Sequence, residues 1–176
     1  KEGIINAIEA GVTTVEHGTF MDDEVIKLMI ERGIYLVPTY VVGYLMEKYG
    51  TENGVPEFMI EKNRKSSELF SENLHKAIKA GVLIAFGTDA GTNYNYHGNN
   101  ALELVLMVEH GFMNPRQAIK SGTQVSAEAL GISAETGTLE SGKTADIVVV
   151  GASLQENLQP LLENIEMVYK GGVQVR

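Results

Sequence analysis

Phe86-Gly87-Thr88-Asp89-Ala90-Gly91 is the stretch on which the fold turns. It follows the apolar run Val82-Leu83-Ile84-Ala85, so a carboxylate and a glycine-bearing turn close what reads as a buried parallel strand. Val15-Glu16-His17-Gly18 repeats the design nearer the start, with an imidazole where the later strand has its carboxylate. Working outward, three segments share one plan of helix end, glycine, short apolar strand and polar residues. They are Ile8-Glu9-Ala10-Gly11-Val12-Thr13-Thr14-Val15, Ile30-Glu31-Arg32-Gly33-Ile34-Tyr35-Leu36-Val37 and Ile78-Lys79-Ala80-Gly81-Val82-Leu83-Ile84-Ala85. Repetition of this plan is an α/β alternation, which favours a parallel sheet with helices packed outside it, because parallel strands need crossover connections. In a barrel of this kind the working residues gather at the carboxyl ends of the strands. Those ends carry Glu16-His17-Gly18, Pro38-Thr39-Tyr40 and Thr88-Asp89-Ala90.

The connecting segments are readable in the same way. Asp22, Asp23 and Glu24 place negative charge at a helix start, and Val25, Leu28 and Met29 form its inward stripe. Residues Val41 to about Val55, with Gly43, Gly50 and Gly54, read as a long connection on the strand-end side, a lid or pocket wall. Pro56 opens a long helix whose inward spacing is Phe70, Leu74, Ala77 and Ile78. Ala101 to His110 is a strongly apolar helix, and Asn114-Pro115-Arg116-Gln117 has the cap, proline and Gln of a helix start. Thr123 and Ser126 are candidate caps of a further short helix. From Gly137 the character changes to turn chemistry, then a strand over Ala145 to Val150 and a hairpin around Gly171-Gly172.

Composition excludes several classes of function. With 176 residues, 44% hydrophobic and 21% charged, the chain is long enough for a well-buried globular fold. A net charge of -9 with only 14 Lys and Arg argues against nucleic acid as a partner. There is no cysteine, so disulfides, thiolate metal sites and a Cys nucleophile are excluded, and any metal must be held by His and carboxylates. The longest apolar runs, such as Leu102 to Val108, are broken by Glu and fall short of the roughly 20 residues of a membrane helix. No membrane partner is expected, and a cytoplasmic location is favoured. The opening Lys1-Glu2-Gly3-Ile4 lacks an initiating Met and reads as the first turns of a helix, as in a piece of a longer polypeptide.

His17 and Asp89 are ligands of the type that hold Zn²⁺ or Mn²⁺ through nitrogen and oxygen. Their equivalent placement on repeated units aims both at one pocket, and a metal there is the expectation. On spacing alone, His17 is also readable as a hydrogen-bonded structural residue and Asp89 as the cap of the following turn. Glu16 points to the opposite side of the strand, His75 reads as surface, and His110 as a helix C-terminal residue near free carbonyls. His97, in the polar loop after Asp89, contacts substrate or nothing.

Val15-Glu16-His17-Gly18, Leu36-Val37-Pro38-Thr39, Gly87-Thr88-Asp89-Ala90-Gly91, His97-Gly98 and Gly137-Thr138-Leu139-Glu140-Ser141-Gly142-Lys143-Thr144-Ala145-Asp146 together resemble the C-terminal part of the metal-dependent amidohydrolase superfamily. The similarity is greatest to the imidazolonepropionase-like branch that includes Xaa-Pro and Xaa-Arg dipeptidases or carboxypeptidases. The resemblance spans essentially the whole chain. It implies an α/β fold, the later part of a (β/α)8 TIM barrel over residues 1–136, with strands six to eight ending at His17, Thr39 and Asp89. Residues 137–176 would then belong to the flanking composite β-sandwich. It further implies one or two divalent metal ions, zinc first with manganese and iron as alternatives. His17 would be a metal ligand, and Asp89 a ligand that also shuttles a proton from the nucleophilic water to the leaving amine. Tyr40 and His97 are expected to shape the pocket for a dipeptide or other small-molecule substrate.

The family's strand-one His-x-His, strand-four carboxylated lysine and strand-five histidine have no match here; all would lie upstream of Lys1. The chain alone is therefore expected to lack a complete site and to present open sheet edges, and a homo-oligomer is expected. Two other readings compete with an amide-cleaving peptidase: hydrolysis of a cyclic amide, and a non-catalytic structural barrel segment.

Overall fold

A computed structural model describes residues 1–176. The first half builds a parallel sheet from β1 (Thr14–Glu16), β2 (Tyr35–Val37) and β3 (Leu83–Ile84), in the order β1-β2-β3. Val15 pairs with Leu36, and Leu36 with Ile84. Helix α1 (Glu2–Glu9) leads into β1, and α2 (Asp23–Arg32) crosses from β1 to β2. The Asp22 carboxylate caps α2 by accepting from the Val25 amide at 3.1 Å. Gly33 ends it at φ 65°, and Gly81 ends the later helix α4 (Glu57–Ala80) at φ 97°. Both occupy the left-handed conformation that turns a helix into the next strand, as the repeated pattern requires. Val25, Met29, Leu36, Leu74, Ala77 and Val105 are almost wholly withdrawn from water at the centre of the core. Each large aliphatic among them contributes about 1.5–3 kcal/mol by burial.

Between β2 and β3 the structure departs from the expected long connection. Tyr40–Tyr49 is a helix, α3, and only residues 50–56 are a loop. Val41 and Leu45, four apart, are buried against Leu106. Gly43 reads as a loop former but works as a packing residue: a Cβ there would lie 2.8 Å from Ser67 Oγ on α4. A side chain at 43 would force the Ser67 hydroxyl to move.

Helix α5 (Ala101–Glu109) buries Val105, Leu106 and Met107, and α6 (Pro115–Lys120) starts with a complete capping box between Asn114 and Gln117. Thr123 and Ser126 do not cap a separate helix. The chain continues from α6 through a π-helical turn, Ser121–Val125, into α7 (Ser126–Ala129). Thr123 Oγ1 donates to the Ile119 carbonyl at 2.7 Å and Ser126 Oγ to that of Ser121 at 2.6 Å, so both hydroxyls bond back along the helix.

The tail forms a second sheet, antiparallel and ordered β4 (Ile147–Val150), β5 (Ile165–Lys170), β6 (Val173–Gln174), with the short helix α8 (Pro160–Glu163) before β5. The Gly171-Gly172 hairpin is present between β5 and β6. β4 starts two residues later than expected, because the Asp146 carboxylate accepts from the Gly171 amide at 2.8 Å and pins the hairpin turn. No helix is long and apolar enough to cross a membrane.

Candidate active site

The carboxyl ends of the parallel strands are conformationally unusual. His17 (φ 64°), Thr39 (φ 55°), Asp89 (φ 54°) and Tyr94 (φ 66°) are the four non-glycine residues with positive φ. Such a backbone costs on the order of 1–3 kcal/mol per residue and persists only where the surroundings over-determine it. For the β-branched Thr39 it is a genuine outlier. Three of the four end or directly follow the three strand units singled out in the sequence.

His17 continues the β1 ladder by one bond, its amide donating to the Val37 carbonyl at 2.8 Å, and then turns. Its Nδ1 lies 2.7 Å from Thr39 Oγ1. The Thr39 hydroxyl donates its single proton to the Pro38 carbonyl, also at 2.7 Å. A hydroxyl has one proton to give, so toward His17 it must accept, and Nδ1 carries the N–H. The Nε2 lone pair is then the free one, which is the state in which a neutral imidazole ligates a metal. His17, Thr19, Thr39, Tyr40, Asn63 and Phe70 are among the residues lining a cleft of about 160 Å³.

Tyr40 forms part of that cleft's wall, with its ring in an aromatic cluster. Centroids of His110 and Phe112 lie 5.0 Å away and that of Phe70 lies 6.2 Å away. Its hydroxyl stands 3.3 Å from His110 Nδ1, and burial pushes the phenol above its ordinary pKa.

Asp89 is exposed and does not belong to the lining of the His17 cleft. β2 lies between β1 and β3, and Asp89 follows the end of β3 by five residues of irregular chain. The Asp89 carbonyl accepts from Thr92 Oγ1 at 3.2 Å. His97 is exposed on the same loop, its Nε2 3.5 Å from where a Cβ on Gly91 would lie. Asn95, buried at the base of this loop, donates through its side chain to the Thr88 carbonyl and accepts the Gly91 amide on its own carbonyl. Of the four expected site residues, His17 and Tyr40 line one cleft, while Asp89 and His97 lie exposed on the loop that follows β3. No cluster of three or more His, Asp or Glu side chains is close enough to hold a metal ion.

Two residues without an expected role at the site support these strand ends. Glu103 on α5 is 2% exposed, and its Oε1 and Oε2 accept from the amides of Tyr40 (2.9 Å) and Val41 (2.7 Å) at the start of α3. Burial pushes its pKa up to about 7, against the pull of those two amides. The signal was a lone acid within Leu102 to Met107, on the same stripe as the buried Leu106 and Met107. Ser126, placed by the π-helical turn, accepts the Phe86 amide at 2.9 Å and so anchors the exit of β3. No local pattern announces it.

The amidohydrolase family profile matches residues 1–175. Ochratoxinase from Aspergillus niger is 36% identical over 179 residues, covering 98% of this chain and 35% of that protein. Imidazolonepropionase from Geobacillus thermodenitrificans is 28% identical over 94% of this chain and 35% of its own length. The crystal structure of a Xaa-Pro dipeptidase with bound methionine in its active site superposes with a TM-score of 0.87 at 43% identity, over 99% of this chain and 42% of that one. The chain therefore spans about a third of the length of the curated relatives it matches.

Proposed function

Because this chain belongs to the amidohydrolase family, we propose that the full-length protein is a metal-dependent hydrolase of amide C–N bonds, cleaving a dipeptide or releasing a C-terminal residue. The observation that carries this reading is the His17 imidazole, held at the end of β1 with Nδ1 committed to Thr39 and Nε2 free. On this reading β1, β2 and β3 are strands six, seven and eight of a (β/α)8 barrel formed by residues 1–136. Residues 137–176 belong to a flanking β-sandwich, whose other strands would cover the apolar side chains that β4–β6 leave open.

The donor chemistry here suits zinc, with manganese or iron as substitutes: one imidazole nitrogen with a fixed tautomer, and one exposed carboxylate on a neighbouring loop. These are two donors, so further ligands come from the rest of the full-length protein, and residues 1–176 alone do not complete the site. When bound, the metal supplies Lewis-acid polarisation of the scissile carbonyl and lowers the pKa of the attacking water. His17 would hold the metal through its free Nε2. Asp89 accepts a proton from the water and returns it to the leaving amine nitrogen, a task for which an exposed carboxylate on a short loop is suited. Tyr40 walls the cleft with its ring, and His97 contributes from the loop that follows Asp89. A homo-oligomer is the proposed assembly.

The 43% identity to a Xaa-Pro dipeptidase supports a peptide substrate. A second reading, cyclic-amide hydrolysis, is supported by the likeness to imidazolonepropionase. A panel of Xaa-Pro and Xaa-Arg dipeptides, N-acyl amino acids and cyclic amides, run on the full-length protein with metal content measured, separates the two. Turnover of dipeptides with stoichiometric metal is the expected result; activity confined to cyclic amides transfers the assignment to the second reading, and no hydrolysis of any member removes both.

A further inference from the structure

Helix α3 begins in an unusual way. Its N-cap, Thr39, has a left-handed backbone, and its hydroxyl makes no capping bond, although threonine commonly serves as an N-cap through that oxygen. The hydroxyl is instead held between the Pro38 carbonyl and His17 Nδ1. The amides of Tyr40 and Val41, which a helix start leaves orphaned, are taken by Glu103 from 63 and 62 residues away. Glu103 has no Lys or Arg partner; desolvation and these two amides are all that act on its ionisation. Burying a carboxylate without a counter-charge is expensive, and a local hydroxyl cap would have been the cheaper solution. The arrangement makes sense if the Thr39 hydroxyl is needed elsewhere, and the elsewhere is the imidazole.

We infer that Glu103 is a positioning residue for His17: by clamping the first two amides of α3 it holds Thr39 in its left-handed turn, with the hydroxyl free to fix the imidazole as the Nδ1–H tautomer. This rests on His17 being a metal ligand for its functional meaning, but the tautomer itself does not. Glu103 touches neither substrate nor metal and acts only through Thr39. The charge is also well placed, since the start of a helix carries the positive end of its dipole.

The test uses the full-length protein labelled with ¹⁵N-histidine. Long-range ¹⁵N–¹H spectra assign the His17 tautomer, with His17→Gln identifying its signals, and zinc affinity is measured by competition with a chelating dye. Wild type is expected to show the Nδ1–H form. Thr39→Val and Glu103→Gln are expected to lose that single tautomer and to weaken zinc binding by about 10–100-fold, the usual effect of removing an outer-shell partner. Thr39→Ser should restore both. Exchange of the Tyr40 and Val41 amides should quicken in Glu103→Gln. Retention of the Nδ1–H tautomer in folded Thr39→Val and Glu103→Gln overturns the inference, even if their melting temperatures fall. Unchanged zinc affinity in His17→Gln overturns the ligand assignment instead, and leaves the tautomer measurement to decide the role of Glu103.

Discussion

The parallel sheet β1-β2-β3 and the antiparallel sheet β4-β5-β6 have three strands each, and only the first is wrapped. Val15, Leu36 and Ile84 at its centre are 8%, 0% and 6% exposed, with helices packed round them. In the second sheet no strand residue is buried, and Val148 and Val173 stand 52% and 65% in solvent. The backbone divides along the same line. All four left-handed non-glycine residues lie between His17 and Tyr94, whereas the tail takes positive φ only at glycine. Strain survives where packing fixes the chain from several sides, and the wrapped sheet provides that support for its strand ends. The open sheet provides none, so its turns are built from residues that need none.

The largest test of this division is chemical. If the strand ends of the first sheet carry the reaction, Asp89→Asn in the full-length protein should lower kcat by about two to four orders of magnitude, the range of a lost general base, at near-native stability. A comparable loss from an isosteric change in the tail, such as Val173→Thr, would break the comparison. Undiminished turnover in Asp89→Asn would remove that residue from the mechanism.

Next in size is the support beneath the strand ends. Glu103→Ala leaves two buried amides without an acceptor and opens a void beside Leu106, a cost of roughly 4 kcal/mol in unfolding free energy. Urea unfolding with a local exchange readout at Tyr40 and Val41 measures it. A loss below about 1 kcal/mol would show that α3 starts without help from α5.

The same carboxylate gives the first sheet a pH signature. Its folded-state pKa is raised from 4.5 to about 7, so between those values the native state binds the proton more tightly than the unfolded chain. Stability from this group therefore falls as pH rises through that window and is flat above it. Wild type should lose roughly 3 kcal/mol relative to the non-titrating Glu103→Gln between about pH 4.5 and 7.5. A pH-independent difference between the two would sharpen the picture the other way, toward a Glu103 that stays ionised throughout.

Legibility in the sequence follows the range of the interactions. Helix, glycine and strand at Gly33 and Gly81, the Asn114 capping box and the Gly171-Gly172 hairpin are all set by neighbours within a few residues, and all are present. Helix α3 was hidden because Gly43 answers to Ser67 on another helix rather than to its own segment. Thr123 and Ser126 look like caps by type, but their hydroxyls serve a π-helical turn whose far end holds the Phe86 amide. At the site, the strand-end placement of His17 and Asp89 was readable from periodicity. The direction of each side chain was not, since a left-handed residue leaves the alternation of the strand it ends. Glu103 was visible as an acid in an apolar run, yet nothing within five residues of it indicates the helix start it holds.

The smallest expected effect probes the open sheet. Gly172 sits at φ 80° in the β5–β6 turn, and the nearest atom to a Cβ placed there is Ala145 Cβ at 3.9 Å, an ordinary contact. Replacing it with alanine adds no clash, so only the left-handed backbone penalty remains, about 1 kcal/mol. The turn is held by two bonds to the segment before β4, the Asp146 carboxylate on the Gly171 amide at 2.8 Å and the Ala145 carbonyl on the Gly172 amide at 3.0 Å, so it can shift with that exposed segment and part of the penalty will be relieved. Gly172→Ala is therefore expected to lower stability by no more than about 1 kcal/mol and to leave kcat and metal affinity untouched, as thermal unfolding and steady-state kinetics on the full-length protein would record. A change in kcat would mean that this hairpin, exposed as it is, bears on the strand ends of the other sheet.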